Sequence, residues 1–551
     1  WHDVLNNINL GEMPPEDEVQ LSPDERRKLV GWLTKELQKA AKARRGIGEQ
    51  VVMRRLNRTE YQYTMMDLLG LEMDYSGGFP SDGRSSEGFK NNGASLSMTA
   101  LQIENYIKIA RQAFRFVLVE GEQEKKSVTV VDRNKGPIRG PNSRRFTGNS
   151  SERLGRVNFW HGSFKDLPRT GKFSIRVKAY TDRKPGQPAP ILFAQYGYFV
   201  SGLTLNIMGD AGEVTITSGN PEYYEISGRP EFFPLPEAHV PSAKLNGIIT
   251  LQNAIDDGKP LTQAVNKVIE EKDKKGKIRK RKVKVFPEDP DFPRIIIESV
   301  EFVRNDYPSW PPSLHRRIVQ DGEELSDPKA VEKLLSRFLR RAWRRPVNGE
   351  EIKKWMAHYQ KMLQQGDSPI LALKETLSAT LASSNFLYLT EPFEFDKSRK
   401  LNAHELAARL SYFLWSSMPD EELFELADSG RLLEPSVLRK QFDRMLANSK
   451  ADRFAEQFSM QWLDLEGVDR VAINPQYYKG FDNSLKPDMV GETQAFFREI
   501  LRSNTSALQF IDAEFTMLNA SLAKHYGLEG PKSQRFERVS LKGTSRPGGV
   551  L

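Results

Sequence analysis

The chain has 551 residues, of which 38% are hydrophobic and 10% aromatic. This content is enough to form buried cores, so a largely disordered protein is excluded. The length predicts roughly three to five domains rather than one. No apolar run reaches the about 18 residues needed to cross a bilayer. Because there is no cysteine, disulfides, thiolate metal sites and a cysteine nucleophile are excluded.

The net charge of +8 comes from one short segment. Nine of the thirteen residues from Lys272 to Lys284 are Lys or Arg. They are either a solvated hairpin or disordered insertion, or a contact for an anionic polymer. Specific nucleic-acid binding is not expected, because no aromatic residues are interleaved and no known motif accompanies the run. The candidate contacts are Lys274, Lys275, Lys277, Arg279, Lys280, Arg281 and Lys282.

Residues 1–46 predict a short helix, a Gly-Glu-Met-Pro-Pro loop and a long amphipathic helix. Ser22 and Glu25 have the spacing of a capping box, and Pro23 occupies the first helical position. Met13 lies in the proline loop. Packing within that loop is one interpretation of this methionine.

Residues 47–120 predict a small helical domain built around the words RRLNRTEY and DLLGL. Asn57 and Glu60 have the spacing of a capping box at the start of a helix, and Gly70 is expected to end that helix. The loop from Gly77 to Gly93 carries five glycines, where we expect positive φ. Phe79 and Phe89 are predicted to anchor this loop between the small domain and the helices that begin near residue 401.

Polar residues of the same loop offer oxygen ligands. Their spacing is not that of an EF-hand, so a hydrogen-bonded structural loop and a calcium site both remain open. The candidate calcium ligands are Asp82, Glu87, Asn91 and Asn92.

Residues 121–308 change to alternating apolar and polar positions separated by Gly, Pro and Asn turns. This pattern predicts short strands in one inserted antiparallel β-sandwich. The phrase GKFSIRVKAY followed by a proline-rich turn resembles jelly-roll modules that bind carbohydrate. Five aromatic residues are either core residues or platforms for sugar rings: Trp160, Tyr196, Tyr198, Tyr223 and Tyr224.

The remaining sequence is helical again, so the predicted class is multidomain α+β with mostly α-helical domains around the inserted β-sandwich. Helical domains are expected over 309–395 and 396–530, and residues 531–551 are expected to begin a further, truncated domain. Asp327 and the pair Asn402 and Glu405 have the positions of helix caps.

Catalytic patterns are scarce. The seven histidines show no close metal spacing, and no Gly-x-Ser-x-Gly elbow, phosphate loop or dinucleotide fingerprint occurs. His404 at a helix start is the most suggestive histidine, although such a residue is usually structural. Glu492 and Glu499 lie two turns apart on one predicted helix. The sequence does not decide whether the protein is an enzyme.

Three segments resemble one family in the same order: RRLNRTEY with EGFKNNG, FLRRAWRRPVNGEE, and LNAHELAARLSYFLWSSMPDEEL. The family comprises exported, planctomycete-type multidomain proteins in which a c-type cytochrome segment precedes several domains of unknown function. The resemblance implies a periplasmic or cell-surface location, and that the chain is an internal fragment. It also implies that residues 1–46 are the C-terminal part of a cytochrome-c-like domain, with Met13 as the axial haem ligand. Haem c cannot be attached within this chain, which has no cysteine.

Two function classes follow, with a third more remote. The first is an accessory surface protein that binds polysaccharide or another surface protein and is linked to a cytochrome segment in the longer protein. The second is a haem-dependent electron-transfer or redox enzyme acting on polysaccharide or a partner. The third, a hydrolase, needs two facing carboxylates about 5 to 10 Å apart. The sequence does not determine the oligomeric state.

Overall fold

The computed structural model describes the whole chain except residues 16, 45–52, 86, 135–149, 157, 169–170, 201–204, 234–244, 256–264, 273–277, 286–288, 390–399, 475, 479–480, 482–484, 532–534 and 551. Helices and antiparallel sheets both occur, so the mixed α+β class is confirmed. Within this described part, no helix combines the length and the apolar character that a bilayer crossing requires.

The described α-helices are α1 (His2–Leu10), α2 (Pro23–Arg44), α3 (Arg58–Leu69), α4 (Ala100–Val117), α5 (Ser313–Arg316), α6 (Pro328–Trp343), α7 (Gly349–Gln364), α8 (Pro369–Leu381), α9 (Ser384–Leu387), α10 (Ala403–Trp415), α11 (Glu421–Asp428), α12 (Pro435–Ala447), α13 (Asp452–Trp462), α14 (Leu485–Ser503) and α15 (Ala520–Tyr526).

The described strands are β1 (Arg54–Arg55), β2 (Ser127–Val130), β3 (Arg153–Leu154), β4 (Phe159–Phe164), β5 (Phe173–Thr181), β6 (Ile191–Val200), β7 (Leu205–Thr215), β8 (Glu222–Gly228), β9 (Leu245–Asn253), β10 (Val265–Lys272), β11 (Ile278–Val285), β12 (Ile295–Arg304), β13 (Tyr388–Leu389), β14 (Phe515–Leu518) and β15 (Glu537–Ser540).

Local capping chemistry sets several helix starts. Asn57 caps α3 through a reciprocal box with Glu60, and Asn402 caps α10 in the same way with Glu405. Each pair satisfies two backbone N–H groups that a helix end leaves free. These two predicted starts are confirmed. The predicted cap of α6 by Asp327 is confirmed as well, since its carboxylate accepts from the Lys329 N–H at 3.0 Å.

One hydrophobic core joins helices that lie on either side of the stranded region in the sequence. Its buried residues include Tyr61 and Phe114 from α3 and α4, and Phe386 from α9. The rings of Tyr61 and Phe386 meet edge to face with centroids 6.2 Å apart. β1 also pairs with β13. Residues 53–120 and 309–389, apart from residue 86, which the structure does not describe, therefore contribute to a single core, and the stranded region is an insertion into that helical body.

The buried guanidinium of Arg344 connects this helical body to α10. It donates hydrogen bonds to the carbonyl oxygens of Asn385 (3.1 Å), Phe386 (2.8 Å) and Tyr388 (2.9 Å). It also donates to the Tyr412 hydroxyl of α10 at 3.3 Å. The carbon of the guanidinium lies 5.7 Å from the ring centroids of Phe386 and Tyr412. One cation is thus satisfied by carbonyl oxygens, a hydroxyl and ring faces from two separate parts of the chain, residues 385–388 and Tyr412.

The stranded region contains two antiparallel sheets around a common core. The first has strand order β2-β12-β5-β8, with β3 also paired to β12, and the second has order β4-β9-β6-β7. Rings from the two sheets stack on each other: Phe164 on Phe302 with centroids 4.0 Å apart, and Tyr196 on Phe173 at 4.9 Å. The alternating pattern therefore arises from strands that bury one face against the opposite sheet.

The remaining helices build a second helical body. Helices α10, α11 and α12 surround a core that includes Trp415, whose indole N–H donates to the Met445 carbonyl at 3.0 Å. Helix α14 then packs on β14, which pairs with β15. At the other end of the chain, α1 packs on α2, and Arg26 donates to the carbonyl oxygens of Ile8 and Asn9.

The two phenylalanines of the loop 77–93 have different surroundings. Phe79 is buried in the helical body, with ring centroids 5.5 Å from Tyr61 and 4.4 Å from Tyr106. Phe89 is half-buried, and its ring lies 5.7 Å from Phe458 of α13. Only Phe89 therefore makes the contact with later helices that the sequence predicts for both residues.

The glycines of this loop also differ from expectation. Among its described glycines, only Gly88 has positive φ, at 86°. At Gly83 an added Cβ would lie 2.6 Å from the carbonyl oxygen of Ser95, so close backbone approach explains that glycine.

We expect Phe79→Ala to lower the free energy of unfolding by about 3–5 kcal/mol, the usual cost of removing a buried phenylalanine. Phe89→Ala should cost less and should make the loop 77–93 more sensitive to protease, because this ring attaches the loop to α13. Urea unfolding and limited proteolysis measure the two effects. Tyr477→Ala serves as the control, since Tyr477 is 81% exposed. Equal costs for the two phenylalanine variants would contradict their different positions.

A second prediction concerns His161 of β4, which is 3% exposed and whose Nδ1 has no hydrogen-bond partner within the described residues. Burial and the nearby Arg133 lower its pKa to about 4. The unfolded value is about 6.5, so the unfolded state binds more protons between these values and stability falls as pH falls through this window. Thermal unfolding of His161→Gln should lose part of that slope. The exposed control His525→Gln should keep it, and an unchanged slope in both variants would contradict the prediction.

Candidate functional site

A cleft of about 910 Å³ lies between the loop 77–93 and helices α10 and α13. We call it the loop cleft. Its volume is within the range of small-ligand and cofactor sites. It is lined by Arg54, Asn57, Thr59, Glu60, Ser85, Glu87, Phe89, Asn91, Asn92, Leu389, Leu406, Arg409, Leu410, Tyr412, Phe413, Ser416, Phe454, Gln457, Phe458 and Gln461.

A row of aromatic rings forms one wall of the loop cleft. Phe89 lies 5.7 Å from Phe458, Phe458 lies 5.4 Å from Phe454, and Phe454 lies 4.9 Å from Phe413, between ring centroids. Phe413 is 56% exposed although it sits on a helix that packs on both sides. Large exposed rings grouped in a concave surface are typical of binding sites rather than of a folding requirement.

The opposite wall is polar and fixed by an ion pair. The Arg54 guanidinium donates to both carboxylate oxygens of Glu60, at 2.7 and 2.9 Å. Glu60 is buried and also accepts the Asn57 backbone N–H at 3.0 Å as part of the α3 capping box. Because the bidentate pair and the cap share one carboxylate, this wall has its geometry before any ligand arrives.

Two glutamines of α13 contribute carboxamides at a spacing of four residues, which places them on one helix face. The Gln461 side-chain oxygen accepts the backbone N–H of Lys90 at 2.8 Å, and that of Gln457 accepts from the Thr59 hydroxyl at 3.3 Å. Within the described residues, the Gln457 carboxamide nitrogen and the Asn91 side chain have no protein partner. They are therefore available to a polar ligand.

Charged side chains hold the loop against α13. Arg84 donates to Asp464 at 2.6 Å and to Glu466 at 2.7 Å, and the Lys90 ammonium also pairs with Glu466. Burial alone would raise the pKa of Glu466, but hydrogen bonds from Lys90 and Arg84 outweigh it and lower that pKa. The loop closes the cleft through these pairs together with the ring contact of Phe89.

A further ion pair holds α3 against the same helix. Asp67 of α3 lies 2.9 Å from Arg453 and 3.0 Å from Lys450, and the Arg453 guanidinium lies 4.0 Å from the Tyr63 ring centroid. Burial alone would raise the pKa of Asp67, but Arg453, Ser417 and Lys450 together lower it. The two helical bodies thus meet along a charged seam, and the loop cleft lies beside it.

The four candidate calcium ligands do not share one environment. Asp82 is buried, and its carboxylate accepts from the Arg55 guanidinium and from the Arg58 backbone N–H, both at 2.7 Å. The other three are exposed residues lining the loop cleft: Glu87, Asn91 and Asn92. No group of three or more His, Cys, Asp or Glu residues suited to a metal ion occurs in the described part of the chain.

The candidate sugar-binding aromatics of the stranded region also divide. Trp160 and Tyr196 belong to the core between the two sheets, and Tyr198 and Tyr224 pack against it half-buried. Tyr223 is 52% exposed, with the Arg176 guanidinium 4.8 Å from its ring centroid. Of the five residues, Tyr223 is the one most open to a ligand.

Met13 and the described residues of the basic segment do not line the loop cleft. The Met13 side chain is 41% exposed in the loop between α1 and α2. The basic segment contributes to an antiparallel hairpin in which β10 pairs with β11. Of its candidate residues, Lys274, Lys275 and Lys277 fall outside the described residues, and four lie on β11: Arg279, Lys280, Arg281 and Lys282.

The titratable residues His404 and Glu492, which the sequence singles out, make hydrogen bonds within the protein. The His404 Nε2 lies 2.8 Å from an Asp428 carboxylate oxygen. Glu492 is buried and accepts hydrogen bonds from Thr516, Tyr526 and Arg546 at 2.6 to 3.0 Å. Burial, and then the neighbouring Glu492 carboxylate, raise the pKa of Tyr526 to about 12.

Sequence reasoning missed the residues of α10 and α13 that line the cleft. In α13 they follow at positions 454, 457, 458 and 461, which is one helix face. Phenylalanine and glutamine alternate on this face, whereas a core-facing stripe would be apolar throughout. This mixture of apolar and polar residues on one helix face is the sequence feature that could have indicated a ligand site.

Three family models match separate parts of the chain. In chain order they are described as PSD3, a protein of unknown function (DUF1587), over residues 54–119; PSD5, a protein of unknown function (DUF1595), over residues 330–391; and PSD4, a protein of unknown function (DUF1592), over residues 401–528. No curated protein matches the chain. The chain thus carries three domains of unknown function, and the three segments that the sequence singles out fall within or next to them in the same order. The loop cleft is lined by residues of the first and third matched regions, with Leu389 from the second.

Proposed function

We propose that this chain is the ligand-binding part of an exported multidomain protein, and that it holds a saccharide chain in the loop cleft. The observation that carries the proposal is the cleft itself, whose lining combines a row of half-buried rings and the exposed Phe413 with fixed polar groups. Sugar rings have apolar C–H faces and many hydroxyl groups, so they need both kinds of contact at once. Precisely placed polar groups on a mainly apolar lining are typical of such sites.

The aromatic row supplies the apolar contact. The planes of Phe458 and Phe89 differ by 33°, and those of Phe458 and Phe454 by 32°. Rings with similar orientation, about one ring width apart, offer a surface along which a chain of sugar units can lie. Phe413 extends this surface outward from α10.

The amides and the ion pair supply the polar contact. The Asn91 side chain and the Gln457 carboxamide nitrogen are available to sugar hydroxyls. Glu60 already accepts hydrogen bonds from Arg54 and Asn57. A carboxylate held in this way is suited to fixing a wall rather than to transferring a proton, and binding is therefore proposed ahead of hydrolysis.

We expect Phe413→Ala to weaken binding of a neutral oligosaccharide about three- to tenfold, because one aromatic contact is worth roughly 0.5–1.5 kcal/mol. Gln457→Ala should weaken it as well. Affinity electrophoresis in gels containing xylan, galactomannan or hydroxyethylcellulose gives the comparison. Phe413 is exposed, so the melting temperature should stay nearly unchanged.

Two control variants separate this proposal from its alternatives. Tyr478→Ala removes an exposed ring that does not line the cleft, and Tyr223→Ala removes the exposed ring of the stranded region. Retention of full affinity by Phe413→Ala would contradict the cleft as the site. If Tyr223→Ala alone lost affinity, the saccharide site would belong to the stranded region, which we then propose to be a jelly-roll-like sandwich of the carbohydrate-binding kind.

Calcium is a proposed accessory of the same loop. The candidate ligands that line the cleft are Glu87, Asn91 and Asn92, and the buried Asp82 does not line it. If calcium binds there, the affinity electrophoresis should change on adding Ca²⁺ and return on adding a chelator. No effect of either reagent would remove calcium from the proposal.

A redox role in a longer protein is the alternative function. It is favoured by the partly exposed thioether of Met13 in a proline loop between two packed helices. With no cysteine, this chain does not fit a covalently attached haem by itself, and Met13 would supply one axial ligand only. The longer protein should then show a Soret band with a low-spin, methionine-ligated signature that Met13→Ala abolishes. A colourless longer protein would contradict this alternative.

A further inference from the structure

A second groove, of about 720 Å³, lies between α4 and the stranded region. We call it the basic groove. Its lining includes four cations: Lys108, Arg111 and Arg115 from α4, and Arg229, which directly follows β8. Glu104 and Tyr307 also line the groove. None of these residues was singled out by the sequence patterns, because single cations on a helix usually belong to a solvated face.

The three cations of α4 share one helix face. Lys108, Arg111 and Arg115 stand at i, i+3 and i+7, which brings them onto the side that faces the groove. From Lys108 to Arg115 the helix rises about 10 Å. The positive charge therefore forms a row along the groove rather than a single point.

Two of the four cations, Lys108 and Arg115, have neither a hydrogen bond nor an ion pair with the described residues. Arg111 pairs with Glu375 of α8 at 2.7 Å. Arg229 is buried, and its guanidinium lies 6.0 Å from the Phe116 ring centroid. The charges of Lys108 and Arg115 therefore leave positive potential in a concave space, where it acts on ligands most strongly.

We propose that the basic groove binds the carboxylate or sulfate groups of an acidic polysaccharide chain. This rests on the proposed saccharide function and adds a ligand class, since the loop cleft offers contacts to neutral sugar units. Apolar side chains line the groove beside the cations, among them Ile107 and Val119. A chain of sugar rings carrying acidic groups matches a lining that offers both cationic and apolar contacts.

Single-stranded nucleic acid fits the groove less well. Binding to it relies on aromatic faces that are free to stack with bases. The half-buried Phe116 ring lies edge to face with Phe232 with centroids 6.2 Å apart, and the Arg229 guanidinium lies 6.0 Å from its centroid. Contacts within the protein therefore compete with base stacking on this ring.

The test compares the affinity of the unchanged chain for hexagalacturonate with that of charge variants. Isothermal titration calorimetry on the whole chain measures each affinity at low and at raised salt. In the variant Lys108→Glu with Arg115→Glu we expect an affinity loss on the order of tenfold or more and a weaker salt dependence. The milder pair Lys108→Gln with Arg115→Gln should lose less, and it serves if the charge reversal disturbs folding. Arg431→Glu with Lys440→Glu changes the net charge equally at exposed positions outside the groove and should retain affinity.

A further variant, Lys280→Gln with Lys282→Gln, measures how much the basic hairpin contributes to the affinity for hexagalacturonate. The proposal is overturned if the groove variants and the Arg431 and Lys440 control lose affinity equally, if only the hairpin variant loses it, or if single-stranded DNA binds more tightly than hexagalacturonate. Phe413→Ala should leave hexagalacturonate affinity unchanged while weakening neutral saccharides. Failure of the basic groove can thus be told apart from failure of the loop cleft.

Discussion

The arrangement of the helical bodies depends on a buried cation, Arg344. A guanidinium inside a protein is costly unless its donors are satisfied, and here three carbonyl groups, one hydroxyl and two ring faces satisfy it. These partners come from α9, from β13 and from α10. Because the partners only meet when all of these segments are in place, Arg344 links the shared helical core to the third helical segment, and β13 in turn pairs with β1 beside the loop cleft.

The loop cleft is a consequence of how the helical bodies join. Pairs between α3 and α13 bring the bodies together along one seam, and the loop 77–93 is attached beside it by Arg84, Lys90 and Phe89. The space left between these contacts is lined by rings and amides instead of being closed by core packing. A site made at such a joint responds to any change in the relative position of the two bodies, which is a common setting for ligand binding.

The sequence predicted features that depend on neighbouring residues and failed on those that depend on distant ones. The boxes of Asn57 with Glu60 and Asn402 with Glu405 are local, and both form. The shared core could not be foreseen, because it joins Tyr61 to Phe386 across the whole stranded insertion. Phe79 and Phe89 have the same local sequence pattern. Only tertiary contacts distinguish Phe79, which lies in the core, from Phe89, which attaches the loop to α13.

We expect Arg344 to couple the shared helical core to α10 and so to keep the loop cleft in shape. Hydrogen exchange measured by mass spectrometry on the whole chain and on Arg344→Met is the decisive experiment, since methionine keeps much of the apolar volume and removes the donors. Protection should fall together in 54–60, 385–389 and 403–415, while the two sheets between residues 127 and 304 keep theirs. Loss of protection confined to the end of α6, with 54–60 and 403–415 unchanged, would show that Arg344 does not couple these segments.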